Sequence, residues 1–198
     1  VILSNLEIQR AIDEGRIIID PQPLPRKKNA DEYCPYDTCA VDLTLGAEIS
    51  VPKGGPFTID LTRRGGLAEF IHKHCDPYKI TEEQPFLLER GKFILAKTFE
   101  RIGLPVGKFR PYLAARIEGK SSAARCGILV HFTAPTVHTC WDGPLTLEMT
   151  NLGPASFTLK PRMPIAQLII EEVHGDIMEN PSQFQGQITP EGTGPKRG

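Results

Sequence analysis

The sequence predicts a mainly β fold, a β-sandwich or jelly-roll-like barrel, from three observations. From Ala40 onward the chain is a series of short apolar or alternating runs: AVDLTLGAEISV, FTIDL, PFLLERGKFILAKTFERIGLP, PYLAARIEG, GILVHFTAPTVHT, PLTLEMTN, SFTLKP and IAQLIIEEV. Gly, Pro or Asn interrupts nearly every run, and Gly and Pro number 18 each, a supply of turns suited to many short strands. Helical signatures are confined to the N-terminus and one or two short stretches, so the strands must pack on one another.

Taken in order, Ser4-Asn5-Leu6-Glu7 has the spacing of a capping box, in which the Ser hydroxyl and the Glu carboxylate each accept a bond from a helix-start amide. Ile8, Ala11 and Ile12 then fall on one helical face and Gly15 offers a stop, which predicts a helix from about Asn5 to Glu14. RIIIDPQPLPRKKNADEYCPYD holds one apolar run and continues as a Pro-rich surface connection. Strands follow, with RRGGLAEFIHKHCDP reading as a short helix among them. The last stretch, QFQGQITPEGTGPKRG, reads as a mobile tail, so that residues 1–198 form one domain with a tail over about 180–198.

Composition narrows the partners. Hydrophobic residues make up 40% and the formal net charge is -1, which argues against disorder and against a surface that seeks nucleic acid. No apolar run approaches the roughly 18 to 20 residues needed to span a bilayer, and VILSNLEIQR lacks a basic segment followed by a hydrophobic stretch. The expectation is a soluble, cytoplasmic protein with no membrane partner. Five cysteines at irregular spacing read as reduced thiols.

The stretch VHTCWDGPLTLEMTN concentrates the reactive side chains. Zinc deaminases combine a His-x-Glu element with Pro-Cys-x-x-Cys, and neither spacing occurs here. Cys34-x4-Cys39 falls outside the usual finger spacings, and His72-x-His74-Cys75 has no partner pair. No zinc and no metal held by the protein is therefore expected. Cys140 and His138 share a face if their segment is extended, but no oxyanion device accompanies them, so a semi-buried thiol is the plainer reading. In LTLEMTN, alternation sets Leu145, Leu147 and Met149 on one face and Thr146, Glu148 and Thr150 on the other. A carboxylate there must face solvent, a partner or a pocket, and in a pocket desolvation would raise its pKa and make it a competent general base. Lys120-Ser121-Ser122-Ala123-Ala124-Arg125, after Gly119, offers hydroxyls, amides and two cations suited to phosphate, though a plain polar turn has the same composition. It is not a Walker loop.

With these motifs in place, RIEGKSSAARCGILVHFTAPTVHTCWDGPLTLEMTNLGP resembles the central motifs of the deoxycytidine triphosphate (dCTP) deaminases, with related motifs in the trimeric dUTPases. LSNLEIQRAIDEGRIIIDP, AVDLTLGAEISV and PFLLERGKFILAKTFERIGLP extend the resemblance over nearly the whole chain. It implies a distorted jelly-roll, dUTPase-like subunit in a homotrimer, with active sites between neighbouring subunits. It also implies zinc-independent deamination of dCTP to dUTP and ammonia, which supplies a precursor of thymidine nucleotides. By motif position Glu148 is the general base, while Ser121 and Arg125 orient water and the cytosine. Ala134 contacts that water through its carbonyl. Lys120 and Ser122 lie in the phosphate-contacting turn with Ala123 and Ala124, and Thr146 and Leu147 border the base pocket. Gln167 and Gln187 match further nucleotide contacts. Magnesium would arrive on the triphosphate, and thymidine triphosphate (dTTP) would be a candidate inhibitor.

The chain departs from the family in two places. His138 stands where relatives commonly carry the Asp that activates water for phosphate hydrolysis, and it would instead hydrogen-bond the deoxyribose 3′-hydroxyl. Gln183 and Phe184 stand near the family's phosphate-facing Lys and Tyr. The alternatives are a bifunctional enzyme that continues to dUMP and pyrophosphate, disfavoured by His138, and a non-catalytic trimeric module that senses nucleotide.

Overall fold

The structure, a computed structural model, describes residues 1–61, 66–107 and 109–194. Helix α1 spans Asn5–Asp13, and the Ser4 hydroxyl accepts the Glu7 N–H at 3.3 Å. The Glu7 carboxylate pairs with Arg10 at 2.8 Å one turn on, so the capping box is observed by its Ser half. The helix ends one residue short of the expected Glu14, and Gly15 at φ +69° turns the chain while Arg16 N–H bonds back to Ala11 O at 2.8 Å. Ile8 and Ala11 are buried and Ile12 packs against the core, as the helical spacing requires.

The strands follow as β1 (Ile18–Asp20), β2 (Tyr36–Asp37) and the long β3 (Ala40–Pro52). FTIDL, expected as a strand, carries none. Its alternating Phe57, Ile59 and Leu61 stay exposed, and Phe57 packs edge-on against Phe70 with ring centroids 5.7 Å apart. Phe70 belongs to α2 (Leu67–Lys73), the short helix expected from RRGGLAEFIHKHCDP, whose Arg63, Arg64 and Gly65 lie outside the described residues. Strand β4 (Cys75–Lys79) is a strand that the sequence reading missed because of Pro77. Among the described residues it pairs only with β3, and an edge strand tolerates a residue with no ladder donor.

PFLLERGKFILAKTFERIGLP divides into β5 (Phe86–Leu88) and β6 (Phe93–Gly103), with Gly91 at φ +77° between them. The remaining elements are β7 (Tyr112–Gly119), α3 (Ser121–Arg125), β8 (Ile128–Leu129), β9 (Thr136–Val137), β10 (Asp142–Asn151), β11 (Phe157–Leu159) and β12 (Pro164–Val173). The fold is thus mainly β, a curled jelly-roll-like sheet with three short helices among the described residues.

The main sheet is antiparallel in the order β8-β10-β6-β3-β12-β7-β9, and β5 and β11 form a separate pair. Strand β3 joins its halves. Val41–Thr44 pair with β12, Leu45–Ser50 pair with β6, and register shifts in both ladders accompany the bend. Leu43, Leu45, Ile94, Leu147, Met149 and Leu168 fill the interior, each fully buried. Burial of one such side chain is worth roughly 1.5–3 kcal/mol, so the inward alternation of β10 fixes which face carries Glu148. All five cysteines are free thiols. Among the described residues no helix is long and apolar enough to cross a membrane.

Candidate active site

Strand β10 follows the alternation read from the sequence. Leu145, Leu147 and Met149 are buried, while Thr146 and Glu148 are half-buried on the opposite face. That face opens on a cavity of about 600 Å³ whose lining includes Ala134, His138, Thr146, Glu148 and Gln187. Five residues assigned by motif position therefore meet at one pocket. Leu147, also expected at the pocket, is fully buried on the core side and does not line it.

Burial raises the Glu148 carboxyl above the usual carboxylate range, opposed by its own N–H, the nearby His131 charge and the Phe132 N–H. A carboxylate held reluctant to ionise, yet provided with donors, is suited to take a proton and return it. His131 and Phe132 were missed in the sequence reading. Their signal was the pairing of β8 with β10, Thr150 opposite Leu129, which brings the segment after β8 back beside Glu148. His131 stands 3.5 Å from Glu118 through Nε2, and its Nδ1 is buried without a hydrogen-bond partner among the described residues.

His138 enters the cavity from a β-turn in which Trp141 N–H bonds back to His138 O at 3.1 Å. Cys140 occupies the third position at φ +77°, in the left-handed region that some turn types place there. Burial pushes the Cys140 thiol up, which weakens it as a nucleophile. Among the described residues, no three His, Cys, Asp or Glu side chains are arranged to hold a metal ion.

The Lys120–Arg125 segment lies elsewhere. Ser121 and Ser122 open α3, Ala123 is buried beneath it, and Ala124 and Arg125 are exposed. None of them lines the cavity, and among the described residues the side chains of Ser121, Ser122 and Arg125 have no polar partner. The backbone after α3 is fixed tightly: a side chain on Gly153 would lie 1.9 Å from Cys126 O, so only glycine allows that approach. Lys120 is tied instead to the buried Asp42 at 2.5 Å. Tyr33 donates to the same carboxylate at 2.7 Å, and Gln167 donates to Asp42 at 3.3 Å and to Asp37 at 2.6 Å. Burial, then the Asp42 hydrogen bond, drive the Tyr33 hydroxyl pKa upward. Lys120 and Gln167 thus belong to a polar network outside the cavity.

The described part of the tail covers the pocket. Gly186 N–H bonds Asp142 O at 2.9 Å, Gln185 donates to Cys140 O at 2.7 Å, and Gln187 Nε2 donates to Pro144 O at 2.8 Å and Thr146 Oγ1 at 3.0 Å. Residues 195–198 lie outside the described residues.

Fold and site together define a β protein with a small-ligand pocket built around one raised carboxylate. Comparison with known proteins makes the class specific. The family model described as dCTP deaminase-like matches residues 2–173. A dCTP deaminase of Rhodospirillum rubrum is 36% identical over 171 residues, 85% of this chain and 81% of that protein. A dCTP deaminase, dUMP-forming, of Methanosphaera stadtmanae is 32% identical over 96% of this chain and 91% of its own. The crystal structure of 2′-deoxycytidine 5′-triphosphate deaminase from Agrobacterium tumefaciens has a similar fold, with a TM-score of 0.62 at 16% identity. That match covers 87% of this chain and 48% of the other. The chain belongs to the dCTP deaminase-like family.

Proposed function

We propose that the protein hydrolyses dCTP to dUTP and ammonia without zinc. The observation that carries this reading is Glu148, a carboxylate raised by burial at the wall of a cavity large enough for a nucleotide. In the proposed reaction Glu148 takes a proton from water as the oxygen adds to C4 of cytosine and gives it to N3, then takes the proton of the new C4 hydroxyl and gives it to the departing amine as the C4–N bond breaks and the carbonyl forms. Water is consumed, ammonia leaves, and the base becomes uracil. The Ala134 carbonyl would hold the attacking water, Thr146 would flank the base, and His138 would meet the deoxyribose 3′-hydroxyl.

Ser121 and Arg125 are proposed to act in a neighbouring copy's pocket, in a homotrimer. Their exposure, with no polar partner among the described residues and away from their own chain's Glu148, supports that assignment. A guanidinium delivered there would hold the carboxylate and stabilise charge developing on the base. Magnesium would travel with the triphosphate as part of the substrate.

A second reading, continuation to dUMP and pyrophosphate, draws support from the name of the Methanosphaera relative. His138 in the pocket in place of the family's Asp speaks against it. Incubation with dCTP and magnesium, with ammonia, dUTP, dUMP and pyrophosphate quantified, separates the readings. Ammonia with matching dUTP supports deamination alone; matching dUMP and pyrophosphate would establish the bifunctional course. Nucleotide binding with no ammonia would leave a sensing module.

A further inference from the structure

Beyond the groups assigned to chemistry, the structure holds a second buried carboxylate at the same cavity. Glu191 lies in the tail with its side chain only 3% exposed, in a stretch rich in Gly, Pro and Thr that offers no obvious reason to bury a charge. It is held from two elements. The Ser50 hydroxyl of β3, itself 2% exposed, donates to Glu191 Oε1, and His72 Nδ1 of α2 stands 3.4 Å from Oε2. Burial works to raise this carboxyl, yet the Ser50 hydroxyl first, then its own N–H, Thr189 and the neighbouring His72 ring, hold it below the usual range, although Oε2 makes no hydrogen bond among the described residues.

The strand register shows what this attachment aligns. Ser50 sits opposite Leu95, and Leu95 opposite Glu148, so the three form one row across β3, β6 and β10. Directly opposed residues share a face, which places Ser50 and Glu148 on the cavity side about 10 Å apart, two strand spacings. The next row on that face pairs Lys97 with Thr146. The tail binds this row as well: Lys97 Nζ donates to Ile188 O, Thr146 Oγ1 donates to Pro190 O at 3.1 Å, and Gln187 donates to Thr146 Oγ1 at 3.0 Å. The strap is closed on itself, with Ile188 N–H bonded to Thr193 O at 2.8 Å and the Thr189 and Thr193 hydroxyls 2.6 Å apart. It crosses three neighbouring strands, and Glu191 is its attachment to β3.

We propose that Glu191 is a positioning residue: with Ser50 and His72 it latches the tail strap onto the sheet, so that Gln187 and Pro190 are set over Thr146 beside Glu148 before any nucleotide arrives. Its kinetic consequence rests on the deaminase reading, whereas its structural consequence does not. The latch is made wholly of protein groups, so the strap is ordered in the free enzyme and the nucleotide meets a pocket whose roof is in place.

The test compares wild type, Glu191→Gln and Ser50→Ala by hydrogen exchange of the nucleotide-free protein and by steady-state kinetics with dCTP. In wild type the amides of Gly186 and Ile188 exchange slowly. Either substitution speeds their exchange at least about tenfold, the scale of one lost hydrogen bond to a charged group, and leaves the β6 and β10 amides unchanged. KM for dCTP rises about tenfold while kcat stays within about threefold, a split that loss of folded protein alone would not give. Unchanged tail exchange with unchanged KM overturns the proposal, and so does accelerated exchange throughout β6 and β10, which would make Glu191 a general folding residue. If Glu191→Gln does not fold, Ser50→Ala decides, since it removes the donor without altering the tail. If wild type releases no ammonia, the deaminase reading fails while the exchange data still decide the latch.

Discussion

Replacing Lys120 by Met separates two roles that the sequence could not. Position in the turn assigns Lys120 to phosphate, whereas the structure places its ammonium 2.5 Å from Asp42, a carboxylate whose side chain is 2% exposed. Removing one partner of a buried ion pair costs about 3–5 kcal/mol, mostly because the other charge is left uncompensated. Asp42 retains the Tyr33 hydroxyl at 2.7 Å and the Gln167 amide at 3.3 Å, and Lys120 is itself 21% exposed, so the low end applies, about 3 kcal/mol. For a chain of 198 residues that is a fall in Tm of about 6–12 °C. Thermal and urea denaturation at one fixed protein concentration measure it, because any subunit association would otherwise shift Tm. A Lys120→Met variant that keeps its Tm within about 2 °C and loses only dCTP affinity would contradict the structural role and make Lys120 a phosphate ligand first.

Three further outcomes are expected. Asn151→Ala strands the Leu88 and Ala155 carbonyls and the Gly153 N–H, which Asn151 now satisfies at 2.9, 2.7 and 2.9 Å; at about 1 kcal/mol each, denaturation should report a loss of about 3 kcal/mol. The acid limb of kcat against pH should lie above the ordinary Glu value of about 4.3, because burial raises Glu148 and the base acts only when deprotonated, so activity is lost on the acid side as pH falls through the raised value; a limb at or below that value contradicts the assignment. Finally, Glu148→Gln and Arg125→Ala, each inactive alone, should regain about a quarter or less of wild-type activity when unfolded and refolded together, since mixed assemblies then contain some sites with both native residues. Absence of any recovery removes the shared-site arrangement.

Much of the fold was legible because alternation is a local signal. β10 and α1 were readable from spacing alone, and Glu148 followed from β10, since a charge on an otherwise apolar strand must be lodged somewhere. FTIDL had the same alternation and formed no strand, because periodicity says which face would be buried without supplying a neighbour to bury it. Pro77 concealed β4, whose single pairing partner removes the usual objection to proline in a strand. Lys120, Gln167 and Asp42 come together only through the pairing of β12 with both β3 and β7, a long-range fact that no window of sequence contains. His131 and Glu191 were missed for the same reason: each acquires its surroundings when a distant segment returns to the β10 face.

Whether Glu148 carries the deamination of cytosine in dCTP is decided by ammonia release. Wild type and Glu148→Gln, matched for Tm, are incubated with dCTP and magnesium, and ammonia is followed with time. Wild type should release one ammonia for each dUTP formed, and Glu148→Gln should be slower by at least about a hundredfold, the low end of what a general acid–base contributes. Equal rates for the two proteins, or no ammonia from wild type, would contradict the claim.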